Sequence, residues 1–182
     1  MKKSLLLAGL LSASAMMAET QFFVGAGFER GDVDQKASGA GMTFSESVKD
    51  NALKLKAGII ADNTHRVSLS YAGYSKDGGD IDLTLLNYDY LIQLPYEKTK
   101  LFVGSHTGIS SYDEDSDTVS DTAFSYGLQA GILFDITSNI SFETYVAYTK
   151  LNLEDNIDVL GVPVKVEIDD ATTMGFGINY KF

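Results

Sequence analysis

The chain of 182 residues is 45% apolar and 21% charged, with 17 Gly, 2 Pro, no Cys and a formal charge of -11, which is the size of one domain. Ten Phe and ten Tyr do not fit a disordered chain, whose composition is poor in aromatic residues. The lack of Cys excludes disulfides, thiolate metal sites and a cysteine nucleophile. The acidic balance speaks against nucleic acid, whose phosphates demand clustered Lys and Arg.

The N-terminus reads as a cleaved secretory signal over residues 1–18, leaving residues 19–182 as the mature domain. Met1-Lys2-Lys3 supplies the positive start, Leu5 to Leu11 the short apolar stretch, and Ser12 to Ala18 the small residues of a cleavage region. Cleavage after Ala15 is the alternative to cleavage after Ala18. The apolar stretch is too short for a membrane anchor of about 20 residues.

Further along, the apolar residues recur with period 2, which sets them on one face of a strand. Phe22, Val24, Ala26 and Phe28 alternate with Phe23, Gly25 and Gly27, and Leu53, Leu55, Ala57 and Ile59 alternate with Lys54, Lys56 and Gly58. After a tight Asp62-Asn63-Thr64 turn, Val67, Leu69 and Tyr71 oppose Ser68, Ser70 and Ala72. The fourth segment opens with Ile81, Leu83 and Leu85 and ends with Leu86, Tyr88, Tyr90 and Ile92, a slip of parity that predicts a bulge near Leu85. Pro95 falls in a turn, where its missing N–H costs little. Leu101, Val103, Thr107 and Ile109 then oppose Phe102, Gly104, His106 and Gly108. The last three segments are the most regular: Phe124 to Phe134, Phe142 to Tyr148, and Met174 to Phe182 each carry apolar residues at every second position.

These eight strands are joined by connections that alternate in length. Links after the second, fourth and sixth strands are short, whereas Arg30 to Asp50, Ser110 to Asp121 and Lys150 to Ala171 read as long loops and Ser75 to Asp80 as a shorter one. Most of the acidic residues fall in these four stretches. Short turns at one end and long loops at the other describe an all-β, eight-stranded antiparallel up-and-down transmembrane barrel with periplasmic turns and acidic extracellular loops. Closure follows, because only helices and closed barrels satisfy every backbone group in lipid.

The terminal Gly175-Phe176-Gly177-Ile178-Asn179-Tyr180-Lys181-Phe182 resembles the last strand of bacterial outer-membrane barrels, which end in Phe after alternating aromatic or apolar residues. With the signal and the eight strands, the mature chain is similar to the small OmpA/OmpX-type barrel superfamily. That resemblance implies a bacterial outer-membrane location, lipopolysaccharide as part of the surrounding lipid, a monomer, and recognition of Tyr180 and Phe182 by the barrel assembly machinery. With the sequence ending at Phe182, the peptidoglycan-binding domain of full-length OmpA proteins is not expected. A soluble lipocalin-like barrel with apolar faces inward is the competing fold, disfavoured by the Gly-rich polar faces.

In a membrane barrel the enclosed polar set is Lys54, Lys56, His106, Gln129, Glu143, Asn179 and Lys181. Enclosed charges need partners, and Lys54 or Lys56 is expected to pair with Glu143. The set reads as a structural core, or alternatively as the gate of a narrow porin. No catalytic role is expected: His65 and His106 lack a partner at informative spacing. Asp113, Asp115 and Asp117 alternate as calcium ligands do, but Thr118 and Phe124 stand where an EF-hand needs Gly and Glu, so neither metal nor cofactor is expected. Val164, Val166 and Ile168, beyond a Gly161-Val162-Pro163 turn, suggest that the last two strands rise above the membrane as a hairpin able to bind an extracellular partner.

Overall fold

Strict alternation makes each strand two-faced, and eight such strands form a single sheet: β1 (Thr20–Gly39), β2 (Met42–Ala61), β3 (His65–Lys76), β4 (Gly79–Gln93), β5 (Thr99–Asp113), β6 (Ser120–Asp135), β7 (Ile140–Val159) and β8 (Val162–Lys181). The computed structural model describes residues 20–39, 42–76, 79–96, 98–113, 120–159 and 162–182, without the side chains of 34–48, 76–79, 112–121 and 152–169. The signal at 1–18 and the acidic run at 114–117 lie outside the described residues.

Each strand is antiparallel to its neighbours, and β8 closes the sheet by pairing with β1. Paired residues followed once around the barrel, from Phe23 through Gly58, Ser68, Asn87, His106, Gly127, Thr149 and Ala171, return to β1 at Val33, ten residues further on. That stagger tilts the strands and sets the width of a lumen that side chains alone can fill. The β2–β3 connection turns on Asp62 and Asn63, both at positive φ (51° and 54°), with Thr64 N–H donating to the Ala61 carbonyl at 3.0 Å. Asp and Asn tolerate this conformation, and it matches the strand twist of a tight hairpin.

The outer surface is apolar and the inside is charged. Phe22, Phe28, Leu69, Leu128, Phe176 and Ile178 are more than half exposed, while Arg66, Asp89 and Glu143 are at most 3% exposed. A soluble barrel has the reverse arrangement, so the lipocalin-like alternative is excluded by this inversion.

Two expectations are corrected. The register from β3 through β4 to β5 runs without a shift past Leu85, so the bulge there does not exist. Leu83 and Leu85 are instead inward residues of an apolar cluster with Val33, Tyr74 and Leu151, which is why two leucines occupy the lumen face. Shifts occur at Asp34/Gln35 and Lys150/Leu153. The stretches read as long loops after the first and seventh strands are largely strand, since β1 and β2 pair up to Gly39↔Met42 and β7 and β8 up to Val159↔Val162.

Lumen glycines receive the large side chains that cross the barrel. A Cβ on Gly131 would sit 2.2 Å from the Thr144 carbonyl oxygen and 2.6 Å from the Phe102 ring. One on Gly175 would meet the Tyr145 ring at 2.5 Å. Gly131→Ala is therefore expected to lower the unfolding free energy by about 1–3 kcal/mol, the cost of overpacking, as read by urea unfolding in lipid vesicles.

Candidate functional site: a sealed lumen beneath an extended sheet

The inward positions of the strands build the lumen in layers. Nearest the short turns, Lys181 Nζ donates to Asp135 at 2.7 Å and Lys100 Nζ lies 3.8 Å from the same carboxylate. Above them Phe23, Ile60, Leu91, Phe102 and Leu133 form an apolar floor.

The charged belt stands on this floor. Lys56 Nζ donates to Glu143 Oε1 at 2.5 Å, and Arg66 donates to Glu143 Oε2 at 2.6 Å and to Asp89 Oδ2 at 2.8 Å. Gln129 Nε2 completes the chain by donating to Asp89 Oδ1 at 2.6 Å. The Arg66 guanidinium is also held over the ring of Phe102 at 4.5 Å, a cation–π contact that suits a desolvated arginine. A second group centres on Glu29, which accepts from Lys54 at 3.0 Å, from the Tyr145 hydroxyl at 2.5 Å and from the Tyr74 hydroxyl.

Each cation thus has a carboxylate, and the belt is neutral as a unit. His106 Nε2 lies 2.9 Å from Thr149 Oγ1. Toward the long-loop end Val33, Ala52, Ala72, Leu83, Leu85 and Leu151 form an apolar ceiling. A void of about 10 Å³ bounded by Lys54, Lys56, Glu143 and Tyr145 lies between them, room for about one water.

The structure brings Lys54, Lys56, Gln129 and Glu143 into this belt and divides the two lysines between partners, Lys56 to Glu143 and Lys54 to Glu29. His106 lies apart from it, on Thr149. His65 is the first residue of β3 and bonds the Tyr88 hydroxyl on the outer face. The reading of the sequence missed Glu29, Arg66, Asp89, Tyr74 and Tyr145. Parity could have found them: Arg66 is in phase with Ser68 and Ser70, Asp89 with Asn87, and Glu29 with Gly25 and Gly27.

Above the ceiling the barrel is unequal around its rim. β2–β3 pairing stops at Ala52 and β6–β7 pairing at Lys150, whereas β7, β8, β1 and β2 continue together. The two register shifts lie in this extension, where bulges bend a sheet. Val166 and Ile168 in β8 have backbone partners on both sides, Asp155 and Ala37 for the first, Leu153 and Gln35 for the second, while Val164 pairs with Ile157; their side chains lie outside the description. One-sided edges at this end include β7 beyond Lys150 and β2 before Ala52, faced by β6 before Tyr126 and β3 beyond Tyr74. At the opposite end Tyr180 and Phe182 face outward, with ring centroids 5.1 Å apart at 82°.

A closed barrel with an apolar exterior and buried charges is the form a membrane demands, and the family model described as outer membrane protein beta-barrel domain matches residues 4–182. The chain belongs to this family. It is a bacterial outer-membrane barrel, with the short turns periplasmic and the extended sheet outside. Its fold is similar to that of the neisserial surface protein NspA, at a TM-score of 0.67 and 16% identity over 88% of this chain and 97% of that one. OprG of Pseudomonas aeruginosa gives 0.67 and 17% over 89% and 95%. Ail, the attachment invasion locus protein of Yersinia pestis, gives 0.51 and 18% over 90% and 99%. At these identities the likeness is one of fold. No curated protein matches the sequence.

Removing Glu143 strands two buried cations, Lys56 and Arg66. Glu143→Ala is expected to cost about 3–5 kcal/mol, as for other broken buried pairs. Lys150→Ala, at the half-exposed rim pair with Asp170, is expected to cost less than about 1 kcal/mol. Urea unfolding of the two variants side by side checks the contrast.

Proposed function

We propose that this barrel is a non-enzymatic surface protein, closed to solutes, whose extended sheet engages a partner outside the cell. The observation that carries the reading is the division of labour along the axis: a lumen filled by paired charges between apolar layers, and above it four strands that stay paired with one another past the points where β2 parts from β3 and β7 from β6. An open strand edge offers unpaired N–H and C=O groups to an added strand. β7 beyond Lys150 carries Glu154, Asp155 and Asp158, which favours a partner segment with basic residues. The enclosure of His106 against Thr149 and the stacking of His65 on Tyr88 support roles in packing for both histidines. Tyr180 and Phe182, on the strand that closes the barrel, are the residues proposed to be read by the assembly machinery.

A narrow porin is the second reading, favoured by one observation. Lys54 and Lys56 lie 4.7 and 5.6 Å from the centroid of one ring, Tyr145, between Glu29 and Glu143, so the lysines could exchange carboxylates and open a path.

Planar-bilayer recordings separate the readings: neither wild type nor Glu143→Ala is expected to give discrete conductance steps, and steps in the wild type would refute the closed lumen. Deleting residues 155–169 is expected to abolish adherence of expressing cells to host or abiotic surfaces while the barrel still folds. Unchanged adherence would remove the sheet from the function.

A further inference from the structure

Along the four strands that continue above the rim, the two faces of the sheet exchange character. Within the membrane the lumen face of β1 and β2 carries Glu29, Lys54 and Lys56, and the lipid face carries Phe22, Phe28, Leu53 and Leu55. Val33 is a lumen residue of the apolar ceiling, and backbone register carries its face upward. One row crosses the sheet from Leu153 through Ile168 and Gln35 to Glu46, and the next from Asp155 through Val166 and Ala37 to Phe44. Ile157 with Val164 and Val159 with Val162 continue this face on β7 and β8. The other face takes Glu154, Glu167, Lys36 and Ser45 in one row and Asn156, Lys165, Ser38 and Thr43 in the next. Above the rim the apolar residues therefore share the face continuous with the lumen, the reverse of their placement in the membrane.

An apolar sheet face in water needs a cover. Four strands about 4.8 Å apart and about eight residues at 3.4 Å each make this one on the order of 500 Å², the size at which an apolar patch marks an interaction site. The opposite wall stops below its upper rows. β2 runs ten residues past Ala52, its last partner in β3, whereas β3 ends at Lys76, two residues past Tyr74. On the other flank β7 runs nine residues past Lys150, and β6 starts six before Tyr126. Charge decides what kind of cover fits. Among the described residues, the ionisable ones that register places on this face above Val33 are Glu46 on β2 and Asp155 on β7, whereas Lys36, Lys49, Lys150 and Lys165 fall on the other. The two acids stand on the two margin strands, three strand spacings or about 14 Å apart, with Val166, Ile168 and Ala37 between them. That spacing matches an apolar run of about four or five extended residues between basic ones. A second copy of this chain would bring the same carboxylates and be repelled, and an acyl chain would leave them unmatched.

We infer that the lumen-side face of the extended sheet docks a short peptide segment of an extracellular protein, apolar at its centre and basic at both ends. The inference rests on the surface-partner reading and deepens it, naming a face and the partner's chemistry where that reading names a strand edge. The two fail separately: adherence lost on deleting residues 155–169, with no peptide bound by the wild type, would keep the reading and remove this face.

The test uses the full barrel in phosphatidylcholine nanodiscs, with empty discs subtracted, and the fluorescence anisotropy of a labelled peptide in which two lysines enclose five alternating valines and leucines. Comparison probes are the same peptide with glutamates for the lysines, the same peptide with serines for the apolar five, and oleate as a competitor. Wild type is expected to bind the basic apolar peptide about tenfold or more tightly than either altered peptide. Glu46→Gln/Asp155→Asn is expected to lose about the same factor, and Ala37→Lys to lose binding. Glu154→Gln/Glu167→Gln, on the opposite face, is expected to change it less than about twofold. Heat-modifiable gel mobility checks that each variant keeps its barrel. No binding by wild type, equal loss in the two charge pairs, or undiminished binding of the serine peptide overturns the proposal. Oleate displacing the peptide equally from wild type and from Glu46→Gln/Asp155→Asn also overturns it, and assigns the face to an apolar small molecule.

Discussion

Pairing of β8 with β1, from Lys181 opposite Phe23 to Lys165 opposite Ser38, removes the last free edge from the part of the sheet that lies in hydrocarbon. In lipid an unpaired backbone N–H or C=O costs several kcal/mol, so closure is the condition under which the other strands can exist there. Closure also assigns the faces. Once the ring is shut, one side of every strand meets acyl chains and the other meets the lumen, and period 2 turns that geometry into the alternation of Phe, Leu and Tyr with Gly, Ser, Lys and Glu. With eight strands the lumen admits side chains but little else. Each large inward residue therefore needs a small one to rest on, as Phe102 rests on Gly131 and Tyr145 on Gly175.

The charges follow from the same enclosure. Lys54, Lys56 and Arg66 are removed from water by the barrel wall and by the apolar floor and ceiling, and each is matched by a carboxylate from another strand. Glu143 spans two cations and Arg66 spans two acids, so the group behaves as a network whose members cannot be removed singly without stranding a charge. Gln129, Tyr74 and Tyr145 add the hydrogen bonds that remain. Because these contacts link β1, β2, β3, β4, β6 and β7, they also tie the strands into one register from the inside.

Outside the membrane the constraint relaxes. Water can satisfy a free edge, and only there do β7 and β2 run with a partner on one side. The same boundary sets the outer surface: Tyr71 and Tyr148 reach up to Asp82 and Asp170. A plugged cylinder thus carries an extended sheet at one end.

Much of this was legible in the sequence. The count of strands, the short turns, the outward residues from Phe22 to Phe182 and the inward set of Lys54, Lys56, His106, Gln129 and Glu143 all follow from period 2, a local property of the chain. Parity, however, names the face on which a residue lies and not the residue it meets. That Lys54 belongs to Glu29 and Lys56 to Glu143 depends on the ten-residue stagger around the ring, a quantity no single strand contains. Leu83 and Leu85 looked like lipid-facing residues because they are apolar, yet they fill a ceiling that exists only once Val33 and Leu151 arrive from distant strands. The extension of β7 and β8 above the rim was suggested by the alternation of Val164, Val166 and Ile168, whereas that of β1 and β2 was hidden because a mostly polar stretch in water carries too little alternation to betray a strand. The sequence by itself determined which side of each strand is wet or greasy, and tertiary closure decided the partners, because only a closed ring brings residues far apart in the chain to the same height in the lumen.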